Sequence, residues 1–506
     1  MRIRFLIPVL VGLTVFCSKE KRDTEGRIVP GEGESVRVEM PEVSWKTTVA
    51  VLPFAPEDGS MALFFQDRIA SGLSRSPSLK VLRPGSLRML KDRFVKADFV
   101  VSGTLARTGD QCILNVRMAS QNTDSTILEK NIRQSVERCF AASESIAADL
   151  ASALGDTLPP DPTIAPSPSA RLLDAHFAAL DLVKSPVRED VHRAVGTFKE
   201  ILREDSTFVP AWLGLVRSYQ NLVEIQKDRR LVWLTLAKES CRGALRRDSL
   251  DAEAHALLGK NLLLFGDFRQ ADRSFRKAIA LESGRSDAWS GLGVVLGRYG
   301  LYEQALEAYS RAADLDPTDL QASTGRAMIL IGLGRSPSAE EEIRRALLFH
   351  PGAHELHTFL GLARFYQGDL RQASDEITQG IQSENLQALA HAVRAMIDAK
   401  MGLLDEALAG VELEVKPYVG NDGSLAVTVA AVYTLLGRKG EAIPWLEKAV
   451  AWGYRDYPWL LHDKNFQGLW EDPRTVPVMD RLKAEWEQNR RTYVEERTNP
   501  STRQPE

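Results

Sequence analysis

A small α/β domain with a mixed sheet, followed by an all-α superhelical solenoid, is the fold class this chain predicts. Three observations predict it. β-Branched runs closed by turn residues alternate with amphipathic stretches over residues 46–155. A proline-rich run follows at 156–169, and beyond it helical patterns recur with a 34-residue period.

The 506 residues are 44% hydrophobic and 26% charged. That is the balance of a chain that buries a core, and it excludes wholly disordered, collagen-like and multi-span membrane classes. The 64 basic and 68 acidic residues leave a formal net charge of -4, so no grip on nucleic acid is expected. Four cysteines are too few for a disulfide framework.

Met1-Arg2-Ile3-Arg4 is a cationic start to an apolar run, Phe5 to Phe16, which Cys17 ends. Twelve helical residues reach about 18 Å against about 30 Å of hydrocarbon, so residues 1–17 read as a cleaved signal. Leu13-Thr14-Val15-Phe16-Cys17 resembles the lipobox of bacterial lipoproteins, and the resemblance implies lipidation of Cys17 and a membrane anchor. Phe16 departs from the small residue usual there, so ordinary secretion, an uncleaved anchor and a cytoplasmic protein stay open. Residues 18–45 are charged and rich in Gly and Pro, as a flexible tether would be.

Thr47 to Phe54 reads as a buried strand, 61–75 as a helix ended by Pro77, and Leu79 to Leu82 as a second strand. Ser86 can cap a helix over Leu87–Phe94. Three strands follow at Phe99–Ala106, Cys112–Met118 and Ser125–Ile132, joined at Thr108-Gly109-Asp110 and Gln121-Asn122-Thr123-Asp124, with an alanine-rich helix near 140–154. Val49-Ala50-Val51-Leu52-Pro53-Phe54, Gly72-Leu73-Ser74-Arg75 before Pro77, and Phe99-Val100-Val101-Ser102-Gly103-Thr104-Leu105 carry a family likeness. Residues 46–155 resemble the TolB amino-terminal-like domain that often precedes tetratricopeptide repeats in bacterial signalling and envelope proteins. No P-loop and no G-x-S-x-G elbow occurs in the domain, so an interaction role is expected of it. Cys112 and Cys139 can bridge if their Cα atoms lie about 4.4–6.8 Å apart. Two buried free thiols are the other reading.

Leu158-Pro159-Pro160-Asp161-Pro162 and Ala165-Pro166-Ser167-Pro168-Ser169 form a polyproline-prone spacer, which predicts two independently folding parts. In the repeats, Trp289, Leu292, Gly293, Gly300, Tyr302, Ala305, Tyr309, Ala312 and Pro317 set the register. One period earlier stand His255, Leu258, Gly259, Gly266, Phe268, Ala271, Phe275 and Ala278. One period later stand Ala327, Gly334, Ala339, Ile343, Ala346 and Pro351, and then His357, Leu360, Gly361, Gly368, Leu370, Ala373 and Ile377. Small residues let two antiparallel helices approach, large ones fill the gap, and Gly and Pro mark the turns. The pattern resembles the tetratricopeptide signature. Weaker copies extend it to residues 170–456, about eight helix pairs in a right-handed solenoid. Tyr457-Pro458-Trp459-Leu460, Asp463, Phe466, Leu469 and Asp472-Pro473-Arg474 resemble the closing segment of TolB-like-plus-repeat proteins, so 457–489 is expected to cap the last pair. Residues 490–506 are expected to fray.

The resemblance implies that the first helix of each pair lines a concave groove. Projected onto that face, Lys260, Leu263, Val294, Arg298, Met328, Phe365, Tyr366, Met396 and Lys400 look inward, a wall that suits an extended peptide or a partner's helix. The carboxylate-clamp pattern of Lys and Asn is missing, so capture of chain ends is not expected. His350, His354 and His357 cluster in sequence, but His357 holds a packing position and His350 a turn, so no metal site is expected. No H-E-x-x-H, kinase loop set or nucleophile elbow occurs. The expectation is a non-enzymatic, cofactor-free interaction scaffold, lipid-anchored in the bacterial envelope. A cytoplasmic regulatory module with a separate catalytic chain, and a small-ligand receptor or enzyme using an interdomain pocket, are the alternatives.

Overall fold

The computed structural model describes residues 21–22, 28–29, 40–41, 43, 45–55, 60–83, 97–158, 169–225, 230–383, 386–420 and 422–498. Cys17, the expected helix Leu87–Phe94 and most of the proline spacer lie outside these. Within the expected tether, strands β1 (Lys21–Arg22) and β2 (Ile28–Val29) pair antiparallel.

Five strands form one mixed sheet in the order β4-β3-β5-β6-β7. Here β3 is Thr47–Val51, β4 Leu79–Leu82, β5 Phe99–Thr108, β6 Gln111–Ser120 and β7 Thr126–Ser135. β3 pairs parallel with both β4 and β5, while β5, β6 and β7 form an antiparallel meander. Helices α1 (Ser60–Ser74) and α2 (Val136–Ala153) accompany the sheet. Strand β6 buries Cys112, Leu114, Val116 and Met118, every second residue, as one covered sheet face requires. Phe54 is fully buried, and a Cβ at Gly103 would stand 2.7 Å from its ring. The Leu-Pro-Phe strand ending therefore needs glycine on the neighbouring strand.

Eight helix pairs follow: α3 (Ala170–Val183) with α4 (Arg188–Glu204), α5 (Val209–Ile225) with α6 (Arg230–Leu245), α7 (Ala252–Phe265) with α8 (Phe268–Leu281), and α9 (Ser286–Arg298) with α10 (Tyr302–Leu315). Then come α11 (Leu320–Gly332) with α12 (Ser336–Phe349), α13 (His354–Gln367) with α14 (Leu370–Gly380), α15 (Gln387–Met401) with α16 (Leu404–Ala409), and α17 (Gly423–Leu435) with α18 (Lys439–Ala451). α16 runs on as a π-helical turn, Gly410–Val415. Gly266, Gly300, Gly334, Gly368 and Gly402 all have φ between 69° and 88°. They stand one period apart, each just after a first helix, in the left-handed conformation that glycine adopts without strain. Asp267 and Asp369 cap the helices that follow such glycines.

Close helix contact comes from small residues facing rings. A Cβ on Gly259 would lie 2.8 Å from the Phe275 ring, and one on Gly291 2.2 Å from it. Tyr309 sits in the same way between Gly293 and Gly325.

The chain divides into two compact units. One holds Pro41–Leu292 and Arg311–Asp319, the other Met1–Met40, Gly293–Ser310 and Leu320–Glu506. The first corrects the expectation of two independently folding parts at the proline spacer. One apolar core runs from Val49, Phe65 and Met118 of the α/β domain to Leu173, Phe198, Tyr219 and Cys241 of the first helix pairs. Apolar faces on α1 and α3 are left uncovered by their own layers and cover each other. Arg107 pairs with Asp174, Ser60 donates to Asp181, and Glu137 accepts from the Ala170 amide at 2.8 Å. Further along, Arg83 Nη2 donates to Glu282 Oε2 at 2.6 Å, Ser71 donates to Glu282, and Trp45 Nε1 donates to Ser283 Oγ at 3.2 Å. The domain thus reaches the α8–α9 turn, where a Cβ on Gly284 would lie 2.9 Å from Ser74 Oγ.

His176 stands in this contact, 1% exposed, with the rings of Phe64, Phe177, Phe198 and Phe208 centred 5.2–5.8 Å away. Burial, reinforced by Arg217, pushes its imidazole down to about 3, and Nδ1 has no hydrogen-bond partner. A depressed base stabilises the fold above its unfolded value, near 6.5, and that contribution is lost as pH falls toward 3. Replacing His176→Leu is expected to shrink the stability lost between pH 6.5 and 4.5 by about 2 kcal/mol, as read by denaturant unfolding at each pH. An unchanged pH profile would contradict the assignment.

Candidate functional site

The second unit carries a candidate site. Its base is the face made by the first helices of the pairs, α11, α13, α15 and α17, which touch one another in sequence order. The residues after α18 lie on that face. Helix α19 (Tyr457–His462) is capped by Asp456, whose carboxylate accepts from the Trp459 amide at 3.1 Å and from the Tyr302 hydroxyl at 2.9 Å. Asp463 accepts from the Tyr366 hydroxyl at 3.0 Å, and Trp459 meets the Tyr366 ring edge-on at 5.7 Å. Phe466 and Leu469 are fully buried.

The last helix, α20 (Val476–Thr498), brings Trp486 to 3.0 Å from a Cβ built on Gly300 and stacks Tyr493 on Tyr299 at 4.2 Å. This corrects two expectations. The closing segment covers far more than the last pair, reaching back to residues 299–302. Residues 490–498, expected to fray, are helical because Tyr493 has an aromatic partner to pack on.

Between wall and segment lies a cavity of about 540 Å³, counted with its open side. Met328, Leu362, Tyr366, Leu389, Val393, Met396, Ser424, Val427, Thr428 and Ala431 line it from the helices. Tyr454, Trp459, Asp463 and Phe466 line it from the closing segment.

Of the residues projected inward, Met328, Tyr366 and Met396 meet at this cavity. Lys400 is exposed, and its charge acts on Asp463. Val294 is half-buried. Arg298 is half-buried and feels the charge of Asp456. Phe365 is 5% exposed and packs edge-on against Tyr366, so it is a core residue rather than an open contact. Tyr366 serves the chain's own closing segment, which corrects its reading as an open contact. Lys260 is half-buried and Leu263 buried, both in the other unit. Tyr454, Trp459, Asp463 and Phe466 escaped the projection, although the aromatic density of 454–470 marked that stretch.

The electrostatics of the site are set by burial. Desolvation raises Asp456 to about 7 and Asp463 to about 6, and lowers the neighbouring Arg298 to about 10. Both members of the Arg298–Asp456 pair move toward neutrality, so lost hydration outweighs their mutual attraction. Burial also pushes the Tyr366 and Tyr454 phenols well up.

Cys112, Cys139 and Cys241 are buried free thiols. Cys139 Sγ points at the Cys112 carbonyl oxygen at 3.6 Å, so the two stand here as neighbouring buried thiols, one of the two readings the sequence left open. His357 Nδ1 meets Glu376 Oε2 at 2.7 Å, and no group of three or more potential metal ligands occurs among the described residues. Among them, no helix is long and apolar enough to cross a membrane.

Residues 286–319, the α9–α10 pair, match the tetratricopeptide repeat family. No curated protein gives a significant match. A tetratricopeptide repeat protein from Parabacteroides merdae ATCC 43184 is 18% identical, with 52% of this chain and 98% of that chain covered and a TM-score of 0.38. The pilF product of Pseudomonas aeruginosa is 19% identical, with 43% and 94% covered and a TM-score of 0.35. YrrB, described as a TPR protein with an unusual peptide-binding site, is 21% identical, with 38% and 95% covered and a TM-score of 0.29.

A carboxyl raised by burial favours the docked state at low pH, and that contribution is lost as pH rises through its folded value. Docking of residues 456–498 is therefore expected to weaken as pH rises from about 4 to 7, with amide exchange there faster by about tenfold or more at pH 8 than at pH 5. The double replacement Asp456→Asn and Asp463→Asn should flatten that dependence. Exchange that slows as pH rises, after correction for intrinsic rates, would reverse the sign.

Proposed function

We propose that this protein is a non-enzymatic scaffold, tethered to a bacterial envelope membrane through a lipid on Cys17, that holds partner polypeptides on the first-helix face of its repeats. One observation carries the reading: that face already holds a polypeptide, part of the chain's own closing segment, by burying aromatic side chains and pairing the Asp463 carboxylate with the Tyr366 hydroxyl. The same physics would hold a foreign segment. The match of residues 286–319 to a repeat family built of helix pairs supports it. We read residues 46–155 as a TolB amino-terminal-like domain whose contact with the first pairs stiffens the start of the array. The cationic start, apolar run and cysteine of residues 1–17 support the envelope tether.

Two measurements test this. Intact mass of the membrane-extracted protein should show a mature chain beginning at Cys17 with added acyl mass; an unprocessed Met1 chain in the soluble fraction would overturn the tether. A photo-crosslinking residue at Lys400 should capture partners several-fold more often than one at Leu348, which is 78% exposed on the second helix of a pair. Equal yields from both positions would overturn the face.

A further inference from the structure

We propose that strand β7 pairs edge to edge with β7 of a second copy of this chain, antiparallel about a two-fold axis at Asn131. The two five-stranded sheets then run on as one.

β7 ends the sheet, and among the described elements β6 and α2 pack on it. It is an edge of ten residues, whereas β4 at the opposite edge has four. The pairing with β6 fixes which of its groups are free. The Val136 amide donates to the Asp110 carbonyl at 3.0 Å, and along the ladder Cys112 lies opposite Gln134 and Val116 opposite Lys130. Inward and outward bonding alternate in an antiparallel ladder. Lys130, Ile132 and Gln134 therefore bond to β6, while Glu129, Asn131 and Arg133 turn their amides and carbonyls outward. Among the described residues no main-chain hydrogen bond reaches those three. Such an edge is a template for another strand.

The regular part of the edge is bounded at both ends. Ile127 is an extra residue opposite the Met118–Ala119 step, a bulge that bends the strand, and Val136 begins α2. The stretch between, 128–134, is centred on Asn131.

Its side chains name the occupant. Glu129, Asn131 and Arg133 are exposed, on the face opposite the one where Lys130 meets Asp149 of α2 at 2.9 Å. Neither Glu129 nor Arg133 makes an ion pair among the described residues. Arg117, across from Glu129 on β6, is held instead by Thr126 Oγ1 and the Asp124 carbonyl. In a self-pairing centred on Asn131, Glu129 falls opposite the second copy's Arg133, and Arg133 opposite its Glu129. Two opposite-charge pairs and about six main-chain hydrogen bonds form together. Sliding by two residues one way sets Lys130 against Lys130, and the other way sets Glu129 against Ser135. Either slide loses both charge pairs, so the strand complements itself in one register. That is what a two-fold contact between identical surfaces requires.

The contact is small, so a dissociation constant of about 10–200 μM is expected. Small-angle X-ray scattering of the full chain should show its mass doubling between about 5 and 500 μM. Hydrogen exchange at the Glu129, Asn131 and Arg133 amides should slow in step, while the Lys130 and Ile132 amides, already bonded to β6, hold a constant rate. Glu129→Arg and Arg133→Glu each set like charges opposite, and each alone should weaken the dimer by about tenfold or more. An equimolar mixture of the two variants should recover it, because Arg then meets Glu at both positions. Recovery also shows that both variants fold.

A chain that stays monomeric through about 500 μM overturns the pairing. So do charge reversals that dimerise as well alone as mixed, and reversals that weaken the dimer without recovery on mixing. Protection of the three outward amides that is the same at every concentration overturns it as well, since another part of the chain, and not a second copy, would then cover the edge.

Discussion

Helices can lie as close as these only where one of them lacks a side chain, and the remaining architecture depends on that steric allowance. Phe275 is wedged against Gly259 and Gly291, and Tyr309 against Gly293 and Gly325, at distances no Cβ tolerates. The period arises because each wedge needs its own pair of small residues, and each following turn needs a backbone at positive φ, supplied at Gly266, Gly300, Gly334, Gly368 and Gly402. Once spacing is set this way, the first helices α11, α13, α15 and α17 of the second unit form a continuous face. The cavity exists because that face and the closing segment do not quite fill the space between them.

Burial of ionisable groups is the second organising effect. Surface pairs such as Arg188 with Glu189 and Arg335 with Glu303 are well exposed on both sides and contribute little. Asp456, Asp463, Arg298 and His176 are different, because each has surrendered its hydration and moved toward its neutral form. In both units these groups stand where one part of the chain docks on another. Docking of the α/β domain on the first pairs and of the closing segment on the later ones is therefore coupled to pH with opposite signs. Acid weakens the first through His176, while alkali weakens the second through the two carboxyls.

The self-docked segment changes what the repeat face offers. An open groove would present Met328, Tyr366 and Met396 to any passing chain. Here Tyr366 is engaged by Asp463 and Trp459, and the free surface narrows to a cavity whose lining residue Asp463 feels the charge of the exposed Lys400. A partner must fit both the helices and the segment lying on them, which raises the demand on its shape.

Local chemistry was legible in the sequence. The strands that end at Val51 and Leu82, the meander, the helix pairs and the punctuating glycines depend on residues near one another in the chain, so periodicity and turn chemistry suffice to place them. Met328, Tyr366 and Met396 could be projected onto one face because helical spacing dictates it. What lies on that face could not be read there. Whether Tyr302 meets Asp456, 154 residues on, or Tyr299 meets Tyr493, depends on where packed helices deliver those groups in space. The proline spacer misled for the same reason: its composition reports the stiffness of the link, whereas the shared core across Phe65, Leu173 and Phe198 arises from apolar faces that only the folded chain brings together. Spacing along the chain decides elements; burial between distant surfaces, which sets both the docking and the pKa values, is decided by the tertiary structure alone.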